Sequence, residues 1–115
     1  MSAERPWRPR VEHILEAIGK IQRYTAGLTE AAFADNSLVV DAVIRNFQVI
    51  GEAARHIPAE VQARYPEVPW SLMQGMRHVL VHDYFAVKLD IVWRTIHQSL
   101  PPLVEPLQRV LTENP

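Results

Sequence analysis

Residues 77–84 hold a concentrated set of the side chains that could do chemistry in this sequence. Within eight positions there are a permanent cation (Arg77), two imidazoles four residues apart (His78 and His82), a carboxylate (Asp83) and a phenol (Tyr84). The chain has no cysteine, so thiol chemistry and thiolate metal sites are excluded. These five residues are the first candidates for a functional site.

Arg77 and His82 have the functional groups that cleavage of a phosphodiester requires. When an RNA strand is broken by its own 2′-hydroxyl, a base takes the hydroxyl proton, an acid protonates the leaving oxygen and a cation stabilises the phosphorane. Histidine suits both proton transfers because its unperturbed pKa of about 6.5 lies near cellular pH. Arginine suits the phosphate because its planar fork donates two hydrogen bonds and stays charged. Arg77 and His82 could therefore serve phosphodiester cleavage without a metal ion.

The spacing of the two residues indicates that one copy of the chain does not supply all the groups that this cleavage needs. On a continuous helix, Arg77 and His82 project about 140° apart, since each residue turns the helix by about 100°. They cannot form a close pair within one helix, although they could border a cleft at the helix end. A twofold dimer that apposes two copies would supply two of each group. A homodimer with a composite cleft would therefore complete the set of groups that this cleavage needs.

Two other interpretations of residues 77–84 remain open. In the first, the polar side chains are solvated and serve no chemical purpose. In the second, His78 and His82 bind zinc together with a carboxylate, since histidines four residues apart share a helix face. The sequence lacks the glutamate of an H-E-x-x-H motif, which disfavours zinc. We expect no metal and no cofactor.

Composition favours a globular protein with one focused site. The chain has 115 residues, of which 48% are hydrophobic and 22% charged, and its formal net charge is −1. This charge argues against a protein that coats nucleic acid, although a site that grips a few nucleotides remains possible. The sequence contains neither a long apolar run nor the apolar region of a secretion signal, so we expect a soluble, cytoplasmic protein without membrane contact. Residues 1–8 are expected to form a flexible leader, or else Arg5, Arg8 and Arg10 form a small basic patch.

Hydrophobic periodicity predicts that helices position these residues. Apolar residues recur at three- and four-residue steps, and strand-like alternation is lacking. Capping residues and prolines mark the breaks between segments. The predicted helices cover about residues 10–25, 37–56, 69–80 and 87–100. Brief helical turns are predicted at 29–34 and 58–65, and a further helical pattern follows over 103–111. We predict an all-α, up-and-down bundle of four to five helices that forms one domain over residues 1–115.

The second predicted helix is apolar over most of its girth, so it is buried on more than one side. Its second side could meet another subunit, or the helix could be central within its own bundle. We expect Glu52 on this helix to support Arg77 across the bundle, and Asn46 to line the cleft with His78. Asp41 and Arg45 are spaced for a surface pair.

Trp70 and Trp93 are large aromatic residues that could either stack on bases or fill the core. Core positions are the commoner use of tryptophan at helical spacing, because its ring buries a large apolar area. We therefore expect both side chains to be structural.

The residues from Arg77 to Tyr84 resemble a known family signature. Arg77-x4-His82-x-Tyr84 is similar to the R-x4-H-x-Y motif of HepT-like proteins, which belong to the HEPN superfamily of helical ribonucleases. The resemblance covers roughly residues 9–103. Further blocks resemble the family in order, at residues 41–46, 50–54, 69–70, 75–77 and 91–93.

The resemblance implies more than the spacing does. It implies a dimeric HEPN-like bundle with both motifs facing one cleft, and metal-independent endoribonuclease activity on an RNA substrate with Arg77 and His82 as catalytic residues. It further implies a toxin whose partner is a minimal nucleotidyltransferase (MNT) antitoxin, which silences it by transferring AMP from ATP to Tyr84. The alternative function is a non-catalytic helical module that docks a nucleotidyltransferase.

Overall fold

The structure is a computed structural model that describes residues 4–79 and 88–115, apart from the side chains of His78 and Val79. All the regular secondary structure in this part of the chain is helical, which confirms the predicted all-α fold class. The homodimer stays a prediction. The α-helices of the described part are α1 (Arg8–Thr25), α2 (Glu30–Ala34), α3 (Ser37–Arg55), α4 (Ala59–Arg64), α5 (Trp70–Val79), α6 (Leu89–Arg94) and α7 (Val104–Glu113).

Helix α3 is the centre of the bundle. It packs along both α1 and α5, while α2 also contacts it and α7 packs on α1. Its neighbours within the same chain thus explain the wide apolar girth that the sequence shows, without a second subunit. The buried residues of α3 are Val40, Val43, Ile44, Asn46, Phe47, Ile50, Gly51, Ala53 and Ala54.

Side-chain caps set the start of two helices, as the sequence predicts. The Asn36 Oδ1 atom accepts a hydrogen bond of 3.1 Å from the backbone N–H of Val39, so α3 begins at Ser37. The Thr29 hydroxyl oxygen likewise accepts one of 3.1 Å from Ala32 and starts α2. Each cap satisfies a backbone donor that has no partner within the first turn of a helix.

The first helix begins earlier than the predicted start near residue 10. Helix α1 starts at Arg8, and the Trp7 side chain is buried in the core. The Arg8 Nε atom donates a 2.9 Å hydrogen bond to the backbone oxygen of Asn114. The expected flexible leader over residues 1–8 is therefore too long: burial of an indole ring and this hydrogen bond fix Trp7 and Arg8 in the fold.

The predicted helix over about residues 87–100 is helical from Leu89 to Ser99, but its second half is not α-helical. Helix α6 ends at Arg94, and a π-helical turn, Thr95–Ser99, follows it directly. The Leu100 N–H donates a 3.1 Å hydrogen bond to the backbone oxygen of Thr95, five residues earlier. A 3-10 turn, Pro101–Leu103, follows. The proline pair has no backbone N–H groups to continue the α-helical hydrogen bonds. The helix therefore passes from a wider π turn to a tighter 3-10 turn at this point.

The helices of the described residues lack the combined length and apolarity that a membrane span requires. A span needs about 20 mostly apolar residues, or about 30 Å of helix. Over residues 4–79 and 88–115, none of the helices combines that length with sufficient apolarity.

Candidate active site

The structure describes three of the predicted site residues in full, namely Arg77, Glu52 and Asn46. Arg77 lies in the last turns of α5, and the other two lie on α3. His82, Asp83 and Tyr84 lie outside the described residues, as does the side chain of His78. The described part of the site is therefore the surroundings of Arg77.

Glu52 contacts Arg77 from the neighbouring helix, as expected from the sequence. The Glu52 Oε1 atom lies 3.6 Å from Arg77 Nη1, and both side chains are partly exposed, at 43% and 32%. The other carboxylate oxygen, Oε2, accepts a 3.2 Å hydrogen bond from Arg55 Nη2 and lies 3.0 Å from His56 Nε2. One carboxylate thus links the end of α3 to the Arg77 guanidinium.

These contacts keep Glu52 ionised. The hydrogen bond from Arg55 does most to lower the pKa of the Glu52 carboxyl below its ordinary value of 4.5, followed by that with His56, and the positive charge of Arg77 adds to the effect. An ionised carboxylate favours the charged arginine and restricts its orientation. Glu52 therefore lies where it could orient the Arg77 guanidinium.

Gly51 allows α3 and α5 to approach closely at Arg77. A Cβ atom built on Gly51 would lie 2.6 Å from the Arg77 backbone nitrogen, 2.7 Å from its Cβ and 3.0 Å from its Cα. Real side chains do not sustain such distances to a neighbouring backbone, so a residue with a Cβ could not occupy this crossing unless the helices moved apart. The sequence contains the glycine, but its role becomes visible only when the crossing point of the helices is known.

Arg77 lines an open pocket of about 350 Å³ between α1, α3 and α5. Most of its polar lining is cationic or titratable, while Val49 and Ala53 form a small apolar part. Three guanidinium groups around one pocket suit an anion with several oxygens, such as a phosphodiester. The pocket is lined by Arg10, His13, Arg45, Gln48, Val49, Glu52, Ala53 and Arg77.

Sequence reasoning missed Arg10 and His13 as site residues. Both lie on α1, distant in sequence from Arg77, and Arg10 is one of several basic residues near the start of the chain. Their three-residue spacing places them on one helix face. That spacing is the available signal, but it does not show which face meets α3.

Asn46 does not line the Arg77 pocket. Its side chain is buried, and Nδ2 donates a 2.8 Å hydrogen bond to the Ala42 oxygen one turn earlier on α3. It lines the next pocket along the same helices, together with Arg45 and His13, both of which also border the Arg77 pocket. Asn46 was predicted to line the cleft, but it lines the pocket next to the one that contains Arg77.

The two tryptophans that could have stacked on bases have structural surroundings. Trp70 is buried, and its Nε1–H donates a 3.0 Å hydrogen bond to the Tyr65 oxygen. Trp93 packs on the rings of Phe33 and His97, with centroid distances of 5.3 and 4.1 Å. Both agree with the prediction of structural use.

The fold and the site together define an all-helical domain with an arginine-lined pocket beside its central helix. The family model described as "Ribonuclease HepT-like" matches residues 14–110. The chain belongs to this family, as the R-x4-H-x-Y motif indicated.

Several curated relatives are similar over most of this chain. The "Probable ribonuclease HepT" of Thermococcus cleftensis is 35% identical over 100 residues, which cover 87% of this chain and 91% of the relative. A "Putative RNase" of Caldanaerobacter subterraneus subsp. tengcongensis is 33% identical over 104 residues, covering 90% and 93%. A "Gamma-glutamylcyclotransferase and putative RNase" of Methanocaldococcus jannaschii is 36% identical over 103 residues; these are 90% of this chain, and the chain spans 46% of that relative. No solved structure showed significant similarity.

Proposed function

We propose that this protein is a metal-independent endoribonuclease and the toxin of a HepT/MNT toxin–antitoxin pair. The observation that carries the proposal is the position of Arg77 in a pocket that Arg10 and Arg45 also line, in a chain of the HepT-like ribonuclease family. Such a pocket suits the charge that develops on phosphorus during cleavage. The proposal includes a cytoplasmic location, where such a toxin would meet cellular RNA.

The proposed reaction needs only side chains of the protein. His82 accepts the proton of the ribose 2′-hydroxyl, and the 2′-oxygen bonds to phosphorus. The bond from phosphorus to the 5′-oxygen breaks, an imidazolium of the paired site protonates that oxygen, and the products are a 2′,3′-cyclic phosphate and a 5′-hydroxyl. Arg77, held by Glu52, stabilises the extra negative charge on the phosphorane. The proposal also assigns supporting roles to Asp83 and His78, as the sequence predicts.

The dimer that this mechanism needs has a candidate surface on α5 and α6. Along α5 and α6 lies an apolar pocket of about 250 Å³, and at its border Leu72 and Ile91 are 51% and 46% exposed. Exposed apolar surface of this kind is typical of protein interfaces. We expect Leu72→Glu to dissociate the dimer and abolish cleavage, as measured by light scattering and RNA turnover. A variant that stays dimeric would exclude this face.

The partner in the proposal is a nucleotidyltransferase that modifies Tyr84. Transfer of AMP from ATP to the tyrosine oxygen releases pyrophosphate and adds negative charge, which would repel the RNA phosphate near His82. Co-expression with such a partner should increase the intact mass by about 329 Da for each AMP group. An unchanged mass, or an equal increase in Tyr84→Phe, would contradict this assignment.

The catalytic proposal is tested by cleavage of RNA in EDTA. The purified wild-type protein should cleave, and neither Arg77→Ala nor His82→Ala should do so. Expression of the wild-type protein alone should arrest growth, since a free toxin damages cellular RNA. Equal cleavage by both variants would exclude the assigned site, and the absence of cleavage and growth arrest would favour a non-catalytic docking module.

A further inference from the structure

The Arg77 pocket continues into a second pocket along the same two helices. This second pocket has a volume of about 380 Å³ and shares His13, Arg45 and Val49 with the first. Together they form one groove between α1 and α3, which we call the α1/α3 groove. The second pocket is lined by His13, Glu16, Ala17, Lys20, Tyr24, Ala42, Arg45, Asn46 and Val49.

The groove follows one face of each helix. On α1 its residues recur at steps of three and four, from Arg10 through residues 13, 17 and 20 to Tyr24, as a single helical face requires. Fourteen residues of helix span about 21 Å at 1.5 Å per residue. On α3 the order is opposite, since Glu52 lies near Arg10 and Ala42 near Tyr24. The two helices are thus antiparallel walls of a groove that starts at Arg77.

Charge is segregated toward this groove. Four permanent cations line it against two carboxylates, a local formal charge of +2 on a chain whose net charge is −1. Both carboxylates contact cations, Glu52 as described above and Glu16 at 3.4 Å from Lys20 Nζ. A positively lined groove on a slightly acidic chain concentrates polyanions at one place. The four cations are Arg10, Lys20, Arg45 and Arg77.

An aromatic ring lies at the end of the groove farthest from Arg77. Tyr24 is 40% exposed, one of a small number of large apolar side chains in the described residues that are so accessible. It lies on the same helical face as Arg10 and lines the second pocket of the groove. Exposed aromatic rings beside cations are typical of single-strand binding sites, where a base stacks on the ring and phosphates contact the cations.

We propose that the α1/α3 groove binds the strand of RNA that leads away from the cleavage site. Arg10 and Arg45 contact successive phosphates beside the one held by Arg77, and an unpaired base stacks on Tyr24. Lys20 contributes less, because its ion pair with Glu16 must be exchanged for a phosphate. This proposal rests on the proposed ribonuclease function, and it predicts that substrate is bound as a single strand.

The test measures binding separately from cleavage. A fluorescent single-stranded 2′-O-methyl RNA lacks the attacking hydroxyl, so the wild-type protein can bind it and cannot cleave it. We expect fluorescence anisotropy to show that Arg10→Ala combined with Arg45→Ala weakens binding at least tenfold. The dependence of log Kd on log salt concentration should also become shallower, by about 0.7 for each phosphate that the variant no longer neutralises. Arg94→Ala on α6 removes the same type of charge outside the groove and is the matched control.

A second set of variants tests the stacked base. Tyr24→Ala should weaken binding about fivefold or more, whereas Tyr24→Phe, which keeps the ring, should bind like the wild-type protein. The same oligonucleotide annealed to its complement should bind more weakly, because its bases are not free to stack. Equal losses in Tyr24→Phe and Tyr24→Ala, or a preference for the duplex, would overturn the stacking role.

The outcomes separate this inference from the proposed function. If the double arginine variant and Arg94→Ala bind alike, or if the wild-type protein binds no RNA, the groove proposal is wrong. If wild-type protein binds through these residues and leaves unmodified RNA intact, the groove proposal stands and the ribonuclease function fails. If cleavage requires Arg77 but binding does not depend on Arg10 and Arg45, the ribonuclease function stands and the groove proposal fails.

Discussion

Substitution of Gly51 by alanine tests whether the close crossing of α3 and α5 positions Arg77. The added Cβ would lie 2.6 Å from the Arg77 backbone nitrogen, whereas ordinary contacts begin at 3.4 Å. The helices must therefore separate by about 0.8 Å at the level of Arg77, if one contact is relieved directly. A smaller separation would leave the new methyl group overpacked against the α5 backbone.

Two opposing effects determine the stability of Gly51→Ala. Overpacking a core contact costs about 1–3 kcal/mol, because the well-packed neighbours must shift. Alanine gains about 0.5–1 kcal/mol over glycine in a helix interior, because it loses less backbone entropy. We expect a net destabilisation of about 1–2 kcal/mol by urea unfolding. RNA cleavage should fall by up to about 10²-fold, the cost of a catalytic misplacement of order 1 Å.

Gly19→Ala is the matched control for this substitution. Gly19 also lies inside a long helix, α1, but the nearest neighbour of its added Cβ would be the flexible end of Arg23, at 3.4 Å. This variant should be more stable than the wild-type protein by about 0.5–1 kcal/mol, with unchanged cleavage. If Gly51→Ala gained the same stability and kept full activity, the crossing would not position Arg77.

Three further predictions concern neighbouring contacts. Glu52→Gln should lower kcat/KM for RNA by no more than about 10²-fold, because Arg77 loses its ion pair with a carboxylate. The variant should be less stable than wild type at neutral pH. This difference should disappear in acid, because the wild-type carboxylate becomes protonated as pH falls through its lowered pKa. Tyr65 has a pKa raised above its ordinary value of 10.0, first by burial and then by its hydrogen bond to Glu113. The stability that its neutral form contributes is complete below pH 10.0 and declines as pH rises from there through the raised pKa. Tyr65→Phe should remove this alkaline loss in a pH series of thermal melts. Asn36→Ala should destabilise the fold by about 1 kcal/mol in urea, with Asn36→Asp near wild type, and equal stability of all three proteins would argue against the cap.

The sequence predicts the helices well because local signals set their ends. Asn36 starts α3 through a side-chain hydrogen bond with its own first turn, and proline positions mark later breaks. Apolar periodicity indicates the buried faces without knowledge of the packing partner. The burial of Trp7 could not be predicted in this way, because it depends on contacts with the folded core that the residues around it in sequence do not reveal.

The candidate site is predictable in its chemistry but not in its surroundings. Arg77 and Glu52 stand out by residue type and by resemblance to a family, and their contact follows from two adjacent helices. The participation of Arg10 and His13 depends on which face of α1 meets α3, a property of the packed bundle. Tertiary contacts of this kind carry no local signal in the chain.

We propose cleavage of RNA by Arg77 and His82 without a metal ion. Its most direct test is the single-turnover rate of RNA cleavage in excess EDTA, compared among wild type, Arg77→Ala, His82→Ala and the charge control Arg94→Ala. We expect wild type and Arg94→Ala to cleave at the same rate, with losses of about 10²–10³-fold for the arginine variant and about 10²–10⁴-fold for the histidine variant. Cleavage that EDTA abolishes, or that persists unchanged in Arg77→Ala and His82→Ala, would contradict the claim.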